Sequence, residues 1–211
     1  MLHEIFNSAA ISFLALFPIL NPPAMSPVFW EMTSHMKDKE RKEMAFLVGK
    51  YSFYLLATLF LFGSWLMKIL GISIPVIRIS GGIILFNTAW NMLSEKKENN
   101  SEKYKDIQFK NAFYPITMPI TAGPGSMAVT LSLAPKEPLY STSMLVYSSG
   151  IIIGIMLAAI SIFIFYRFSQ EFIKKWIKMK ETLSKISAFI LLAIAVQITS
   201  DGIIGLLKQN F

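Results

Sequence analysis

The chain has few of the residues on which covalent catalysis and metal binding depend. Its 211 residues include no cysteine and two histidines, and 16% of them are charged. Without thiols, neither a disulfide framework nor a thiolate metal site can form. His3 is near the N-terminus and His35 is in a connection, with no third metal-ligand candidate close to either. The apolar segments hold no paired histidines and no acid pair, so we expect no enzyme activity, no metal site and no cofactor.

Apolar sequence, by contrast, is abundant and concentrated in long runs. Hydrophobic residues make up 54% of the chain. Five uncharged runs are near or above the roughly 20 residues that a membrane-spanning helix needs. A sixth forms if the Arg78 side chain reaches an interface. We therefore predict an all-α membrane protein with six transmembrane helices, over residues 5–30, 44–68, 72–93, 111–134, 140–166 and 184–207.

The net charge of +7 indicates membrane orientation rather than nucleic-acid binding. Sixteen of the twenty Lys and Arg residues lie in the first, third and fifth connections between the predicted spans. Positively charged loops tend to stay on the cytoplasmic side of a membrane. We therefore predict that loops 1–2, 3–4 and 5–6 are cytoplasmic and that both termini lie outside. The expected partners are the lipid bilayer and a small-molecule solute, with no nucleic acid.

A charged, polar segment divides the chain into two halves of three predicted spans each. Residues 95–110 read as a cytoplasmic loop, with a three-span repeat before it (1–94) and another after it (111–211). Three is an odd number, so the second half enters the membrane in the opposite sense. We predict one membrane domain, 1–211, built from two inverted three-helix repeats related by a pseudo-two-fold axis in the membrane plane.

Two proline- and glycine-rich breaks interrupt the apolar runs at matching places. Segments 18–28 and 119–129 align without a gap at an offset of 101 residues. Proline inside a helix costs roughly 3 kcal/mol or more, because it removes a backbone donor and clashes with the preceding turn. Such a break survives in lipid only where protein or a water-filled cavity satisfies the freed backbone groups. One break in each half indicates a transporter's binding site. We predict that helices one and four are broken and that the unwound segments meet near the midplane, with substrate-binding residues Asn21, Pro22, Pro23, Ala24, Thr121, Ala122, Gly123, Pro124, Gly125 and Ser126.

The two breaks suggest different chemistry. A half-helix opening at Gly125 and Ser126 would present free N–H groups and a helix dipole to an anionic group such as a carboxylate. The Asn21 amide is placed either to cap the second half-helix of span one or to contact the substrate. Carbonyl groups freed by the breaks would coordinate an ion or an amino group.

Polar residues in spans three and six are further candidates. An ionised Asp at a helix centre costs about 2.5–3.5 kcal/mol on insertion scales, so buried ones are usually functional. Asp201 is either such a site or an interfacial, structural carboxylate. The candidate coupling-ion or polar-lining residues are Asn87, Asn91, Gln197 and Asp201.

Four motifs together resemble the MarC family of membrane proteins. Asn21–Phe29 resembles its first-span Asn-Pro-x-Gly motif, and Ala122–Gly125 is similar to its fourth-span motif. Arg78–Ile83 and Ile194–Ile203 are similar to its third- and sixth-span patterns. The resemblance implies a six-span protein in the inner (plasma) membrane of a prokaryotic cell. The best understood members of the family resemble SnatA, a transporter of small neutral amino acids.

The sequence thus predicts a secondary transporter of small neutral amino acids or similar small metabolites. Coupling to H+ or Na+ is expected because the chain has no nucleotide-binding motif. One alternative is a channel or facilitator, which would use the same broken helices without ion coupling. Another is a membrane protein with no transport role.

Overall fold

The computed structural model describes residues 1–94, 109–134, 142–176 and 180–210, so most of the predicted cytoplasmic loop 95–110 lies outside the described residues. Regular structure in this part of the chain is helical throughout. A short 3-10 turn, Phe109–Asn111, leads into an irregular helical segment, Ala112–Thr121. The α-helices are α1 (Leu2–Leu20), α2 (Pro22–Met32), α3 (Asp38–Leu70), α4 (Ile74–Leu93), α5 (Pro124–Leu133), α6 (Thr142–Arg167), α7 (Ser169–Trp176) and α8 (Lys180–Asn210).

Within the described residues, four helices are long and apolar enough to cross a membrane, namely α1, α3, α6 and the Ala188–Lys208 part of α8. They correspond to four of the six predicted spans. The other two predicted spans differ in character. α4 carries Arg78 and two asparagines within its 20 residues, and span four is divided between the irregular segment and α5. The chain is therefore an all-helical membrane protein, and the six-span topology stays a prediction.

The helices pack around one main core. α6 lies against both α1 and α3, while α4 lies along α8 and also contacts α5. The core includes Leu16 and Leu20 of α1, Phe29 of α2, Phe60 of α3 and Tyr166 of α6, all almost fully buried. Many other large apolar side chains face outward, as expected of helices whose solvent is lipid. Examples are Phe6, Phe62, Trp65, Ile69, Phe189 and Leu207.

A buried arginine closes the turn between α2 and α3. The Arg41 guanidinium lies 3.9 Å from the centroid of the Trp30 ring. Its Nη2 donates a hydrogen bond of 2.8 Å to the Met36 carbonyl, and its Nε donates a longer one to the Thr33 carbonyl. The Thr33 carbonyl also accepts from the Met36 N–H at 3.0 Å, so the guanidinium adds a second donor there. Arg41 therefore links the C-terminal end of α2 to the first turn of α3.

Glycines set the close approach of α1 and α6. A methyl group built on Gly150 would lie 2.6 Å from the Ile5 carbonyl oxygen, and one on Gly154 would lie 2.5 Å from the Ala9 carbonyl oxygen. Only glycine allows this separation, as is common at helix crossings in membranes. The Gly-x-x-x-Gly spacing of α6 therefore serves packing.

Glycines also mark the crossing of α4 and α8, where the contacts are reciprocal. A methyl group built on Gly82 would lie 3.0 Å from the Ala195 carbonyl oxygen, and one on Gly202 would lie 2.8 Å from the Pro75 carbonyl oxygen. In both cases the residue four positions further along the partner helix is also in contact. The two helices therefore cross with a local two-fold relation. The equivalent residues, 120 positions apart, are Pro75 and Ala195, Ile79 and Thr199, and Gly82 and Gly202.

We expect alanine at Gly82 or Gly202 to destabilise the protein by about 1–3 kcal/mol, the usual range for overpacking. The added methyl group would meet backbone atoms, which cannot rotate away. Gly63→Ala is the matched control, because the methyl group there would meet only the flexible Leu131 side chain. Unfolding titrations in mixed micelles measure the difference. Equal stability of Gly82→Ala and Gly63→Ala would contradict the close approach of α4 and α8.

Candidate functional site

The first break is a single residue in the left-handed region. α1 ends at Leu20, and Asn21 has φ 45° and ψ 54°, with its N–H donating to the Phe17 carbonyl at 2.9 Å. α2 begins at the next residue, Pro22. Asparagine tolerates this conformation better than most residues do. The Asn21 side chain makes no capping bond to α2, so the structure gives no support to the capping role considered for it.

The two prolines that follow leave carbonyl groups without donors. Pro22 and Pro23 have no N–H, so the carbonyl groups of Pro18 and Ile19, four positions earlier, cannot complete their helical bonds. The C-terminus of α1 therefore presents oxygen atoms and the negative end of a helix dipole to the break. Such a group of oxygen atoms suits an ammonium group or a metal cation.

The second break is longer and more irregular. Within Ala112–Thr121, Tyr114 and Met118 have extended backbone angles, with φ −122° and −117°. Each precedes a proline, Pro115 or Pro119, whose ring disfavours the helical conformation of the residue before it. The chain therefore changes direction twice before α5 begins.

Threonine hydroxyls stabilise this irregular segment. The Thr117 hydroxyl donates to the Ala112 carbonyl and the Thr121 hydroxyl to the Ile116 carbonyl, both at 2.7 Å. The Ala122 N–H in turn donates to the Thr117 carbonyl at 2.7 Å. Side chains thus supply donors that a regular backbone ladder would otherwise have supplied.

The second break ends where α5 begins, at Pro124, with Gly123 as its N-cap residue. The N–H groups of Gly125 and Ser126 belong to the first turn, where no carbonyl precedes them in the helix to accept their bonds. The Ser126 hydroxyl donates to the Gly123 carbonyl at 2.8 Å, and no side chain caps the first turn of α5. α2 differs, since Ala24 alone has an N–H among its first three residues. Of the two half-helix N-termini at the breaks, that of α5 therefore has more N–H groups without helical acceptors.

The two breaks line one cavity of about 100 Å³. Six of the ten predicted substrate-binding residues contribute to its wall, and the rest of the lining comes from neighbouring residues of the two breaks and from α4 and α8. Pro22, Pro23, Ala24 and Ala122 are not among the lining residues. The predicted residues that line the cavity are Asn21, Thr121, Gly123, Pro124, Gly125 and Ser126, joined by Met25, Pro119, Ile84, Leu85, Thr88 and Leu191 among others.

Asn21 brings an unpaired donor to this cavity. The residue is only 7% exposed, and its Nδ2 atom has no hydrogen-bond partner among the residues that the structure describes. An unsatisfied buried donor costs about 1–3 kcal/mol, so one that persists requires an explanation. A polar solute in the cavity would provide the missing acceptor.

Tyr166 of α6 connects the two breaks. Its ring stacks on Phe29 of α2 with centroids 4.3 Å apart, and its hydroxyl lies 2.9 Å from the Thr121 hydroxyl. Because the Thr121 proton is already donated to Ile116, the Tyr166 hydroxyl is the donor in this pair. α2 is further held by Ser26, whose hydroxyl donates to the Phe165 carbonyl at 2.9 Å. One end of α6 thus holds residues from both sides of the cavity.

The four candidate coupling-ion residues lie away from the cavity. Asn87 and Asn91 are exposed on α4, and Gln197 and Asp201 are exposed on α8. Gln197 Nε2 donates to Asp201 Oδ1 at 2.8 Å, so these two residues pair with each other. In the described residues, no group of three His, Asp or Glu side chains could hold a metal ion. The coupling-ion role of these residues stays a prediction.

Sequence reasoning missed several lining residues. Ile84 and Thr88 lie one helical turn apart on α4, and Leu191 lies on α8, so their approach depends on tertiary packing. Met25 was within the recognised break but carries no polar signal. Tyr166 ends a long apolar run, and nothing in its sequence context indicates a hydrogen bond to Thr121.

The apolar helices and the interrupted segments around one cavity define an integral membrane protein. The sequence pattern of the MarC family of integral membrane proteins matches residues 6–207, so the chain belongs to the MarC family. It is 28% identical over 201 residues to the membrane protein YvbG of Bacillus subtilis, covering 92% of this chain and 93% of that protein. It is 29% identical over 206 residues to a membrane protein of Pyrococcus abyssi, covering 96% and 97%. It is 27% identical over 218 residues to the inner membrane protein MarC of Escherichia coli (strain K12), covering 97% and 98%. No solved structure matches the chain.

We expect Tyr166→Phe to lower the free energy of unfolding by about 0.5–1.5 kcal/mol, the usual worth of one hydrogen bond. The ring stacking on Phe29 would remain, so the protein should still fold. Tyr54→Phe, which removes a hydroxyl from an exposed tyrosine, serves as the control. A Tyr166→Phe variant as stable as the control in thermal unfolding would contradict the bond to Thr121.

Proposed function

We propose that this protein is a secondary transporter of small neutral amino acids or similar small metabolites. The observation that carries the proposal is the cavity in which the unpaired Asn21 amide and the N-terminus of α5 meet. Homologues in bacterial inner membranes support the same location for this chain. In that membrane we propose the topology with both termini outside and loops 1–2, 3–4 and 5–6 in the cytoplasm.

The proposed architecture is a pair of inverted three-helix repeats. The two-fold relation at the α4–α8 crossing supports it, since equivalent residues 120 positions apart exchange equivalent contacts. The breaks support it as well, because each lies in the first span of its half. An odd number of spans per half then gives the inverted orientation typical of many secondary transporters.

The polar groups around the cavity match an amino acid zwitterion. The N–H groups of Gly125 and Ser126 would bind its carboxylate at the positive end of the α5 dipole. The Ile19 carbonyl oxygen, at the negative end of α1, would accept from its ammonium group. Asn21 would contribute a further donor to the carboxylate, and Thr121 a hydroxyl oxygen.

Cavity size and charge narrow the solute class. The cavity volume of about 100 Å³ lies below the roughly 300–1,000 Å³ of pockets that bind drug-sized ligands. This suits a solute of a few heavy atoms rather than a large drug-like molecule. No side chain that lines the described cavity is charged. A solute that is neutral overall is therefore favoured over one with a net charge.

The first test is ligand binding by variants of Asn21. Thermal stabilisation across a panel of amino acids and metabolites would identify the ligand, because a ligand that binds the folded state raises its melting point. We expect Asn21→Gly, which keeps the left-handed backbone accessible, to fold but to weaken binding about ten-fold. Asn21→Asp would weaken it further, because a carboxylate repels the solute's carboxylate. Unchanged affinity in both variants would contradict the proposed site.

Uptake into proteoliposomes separates the proposal from its alternatives. A secondary transporter accumulates the solute against its gradient, and a protonophore or sodium ionophore collapses that accumulation. A channel or facilitator would equilibrate the solute with or without the ionophore. A protein with no transport role would give no flux for any ligand that binds it, and Asn21→Gly would change nothing.

A further inference from the structure

A second concave surface lies on the outside of the protein, between α3 and α6. This α3–α6 groove has a volume of about 220 Å³ and shares no residue with the cavity between the breaks. Gly49 forms part of its floor, where a methyl group would lie 3.1 Å from the Ala159 carbonyl oxygen of α6. Because Gly49 has no side chain, the groove is deeper at this position. Its apolar walls are Phe46, Phe53, Met156, Ile160 and Phe163.

The α3–α6 groove has one polar wall residue, Lys50. This lysine is exposed, and no carboxylate of the described residues lies within ion-pairing distance of it. Its ammonium group lies 6.0 Å from the centroid of the Tyr54 ring, at the outer limit of a cation–π contact. The groove therefore combines apolar walls with one cation, the Lys50 ammonium group, whose charge is not neutralised by a carboxylate of the described residues.

A second cation flanks the same groove. The Arg167 guanidinium lies 5.7 Å from the Phe163 ring, whose other neighbour is the Phe46 ring in edge-on contact at 5.9 Å. Arg167 is the last residue of α6 and is exposed. Arg167 thus lies at the end of the groove where α3 begins and α6 ends, and Lys50 lies between Gly49 and Phe53 along the α3 wall.

The depth of Lys50 in the bilayer follows from the charges along α3. Lys50 and Lys68 bracket an uncharged stretch, Tyr51–Met67. They are about 27 Å apart at 1.5 Å per residue, close to the ~30 Å of the hydrocarbon core. Lys50 therefore lies at the level of the lipid head groups, and Phe53 lies at the level of the acyl chains. The groove opens toward lipid because α3 and α6 are both apolar enough to cross the membrane.

From this arrangement we propose that the α3–α6 groove binds an anionic phospholipid. The phosphate of its head group contacts the ammonium group of Lys50, with Arg167 adding to the positive field. One acyl chain lies along Phe53, Met156 and Ile160, over the floor formed by Gly49. The ligand is an amphiphile because apolar walls and a head-group cation occur in the same groove. A free anion would use only the cation.

The experiment compares lipid binding by variants of the delipidated protein in detergent. Phosphatidylglycerol and phosphatidylcholine with the same acyl chains are titrated, and bound lipid is counted by native mass spectrometry. The wild-type protein should bind phosphatidylglycerol more tightly. Lys50→Gln should reduce that affinity about five-fold, the effect expected of one lysine on an anionic lipid surface, and leave phosphatidylcholine unchanged. Lys68→Gln, at the opposite head-group level, is the matched control and should keep the preference.

A second variant tests the acyl-chain part of the groove. Ile160→Trp should fill the groove and weaken the binding of both lipids. Because Ile160 is 43% exposed, the larger side chain should not disturb the core. Unchanged lipid preference in Lys50→Gln, or unchanged binding in Ile160→Trp, would overturn the proposal. Inorganic phosphate that binds as well as phosphatidylglycerol would assign the site to a free anion. A dimer that Ile160→Trp dissociates would assign the groove to a second copy of the chain.

Discussion

The structure depends on how backbone groups are satisfied where a helix breaks inside an apolar environment. Lipid provides no hydrogen-bond partners, so every N–H and carbonyl freed by proline must find one in the protein or in an enclosed polar solute. Thr117 and Thr121 meet part of this requirement by donating to carbonyls five residues earlier. What they leave unmet, at Ile19, Asn21, Gly125 and Ser126, lies around one cavity. The candidate site therefore consists of polar groups that have no hydrogen-bond partner within the described part of the protein.

The two breaks have similar sequences but present different hydrogen-bonding groups to the cavity. In the first break, consecutive prolines remove donors, so α1 ends with carbonyl oxygens that lack partners. In the second, Gly125 and Ser126 follow a single proline and keep their N–H groups. One side of the cavity therefore combines carbonyl oxygens with the Asn21 amide donor, and the other side presents backbone N–H groups. An amino acid zwitterion has a donor group and an acceptor group separated by one carbon atom, and this polarity matches it.

Sequence patterns predicted the elements more fully than they predicted the contacts between them. Hydrophobic run lengths located α1, α3, α6 and α8, because burial in lipid imposes a length on apolar sequence. The break motifs identified Asn21, Gly123 and Ser126, because proline and glycine constrain the local backbone. Thr88 and Leu191 could not be found in this way, since their place at the cavity depends on how α4 and α8 pack against the breaks.

Polar residues within the predicted spans were a weaker guide to the residues that line the cavity. Asn87 and Asp201 were candidates because polar groups in lipid are costly, but both are exposed on helix surfaces away from the cavity. The cost of such a residue depends on which face of the helix it occupies, and sequence alone does not show that face. Tyr166 illustrates the converse case. It lies at the end of an apolar run, yet its hydroxyl holds Thr121 in the second break.

Solid-state NMR can measure directly whether one solute contacts both breaks. The protein would be labelled with 15N at glycine backbone and asparagine side-chain nitrogens, and the solute with 13C at its carboxylate. Hydrogen bonds hold nitrogen and oxygen about 3 Å apart, so the carboxylate carbon should lie within about 4 Å of both the Gly125 nitrogen and Asn21 Nδ2. We expect dipolar coupling between the carboxylate carbon and both nitrogens. The coupling to the Gly125 nitrogen should be lost in Gly125→Ala, and the coupling to Asn21 Nδ2 should be lost in Asn21→Gly. Coupling to only one of the two nitrogens, or to neither, would contradict it.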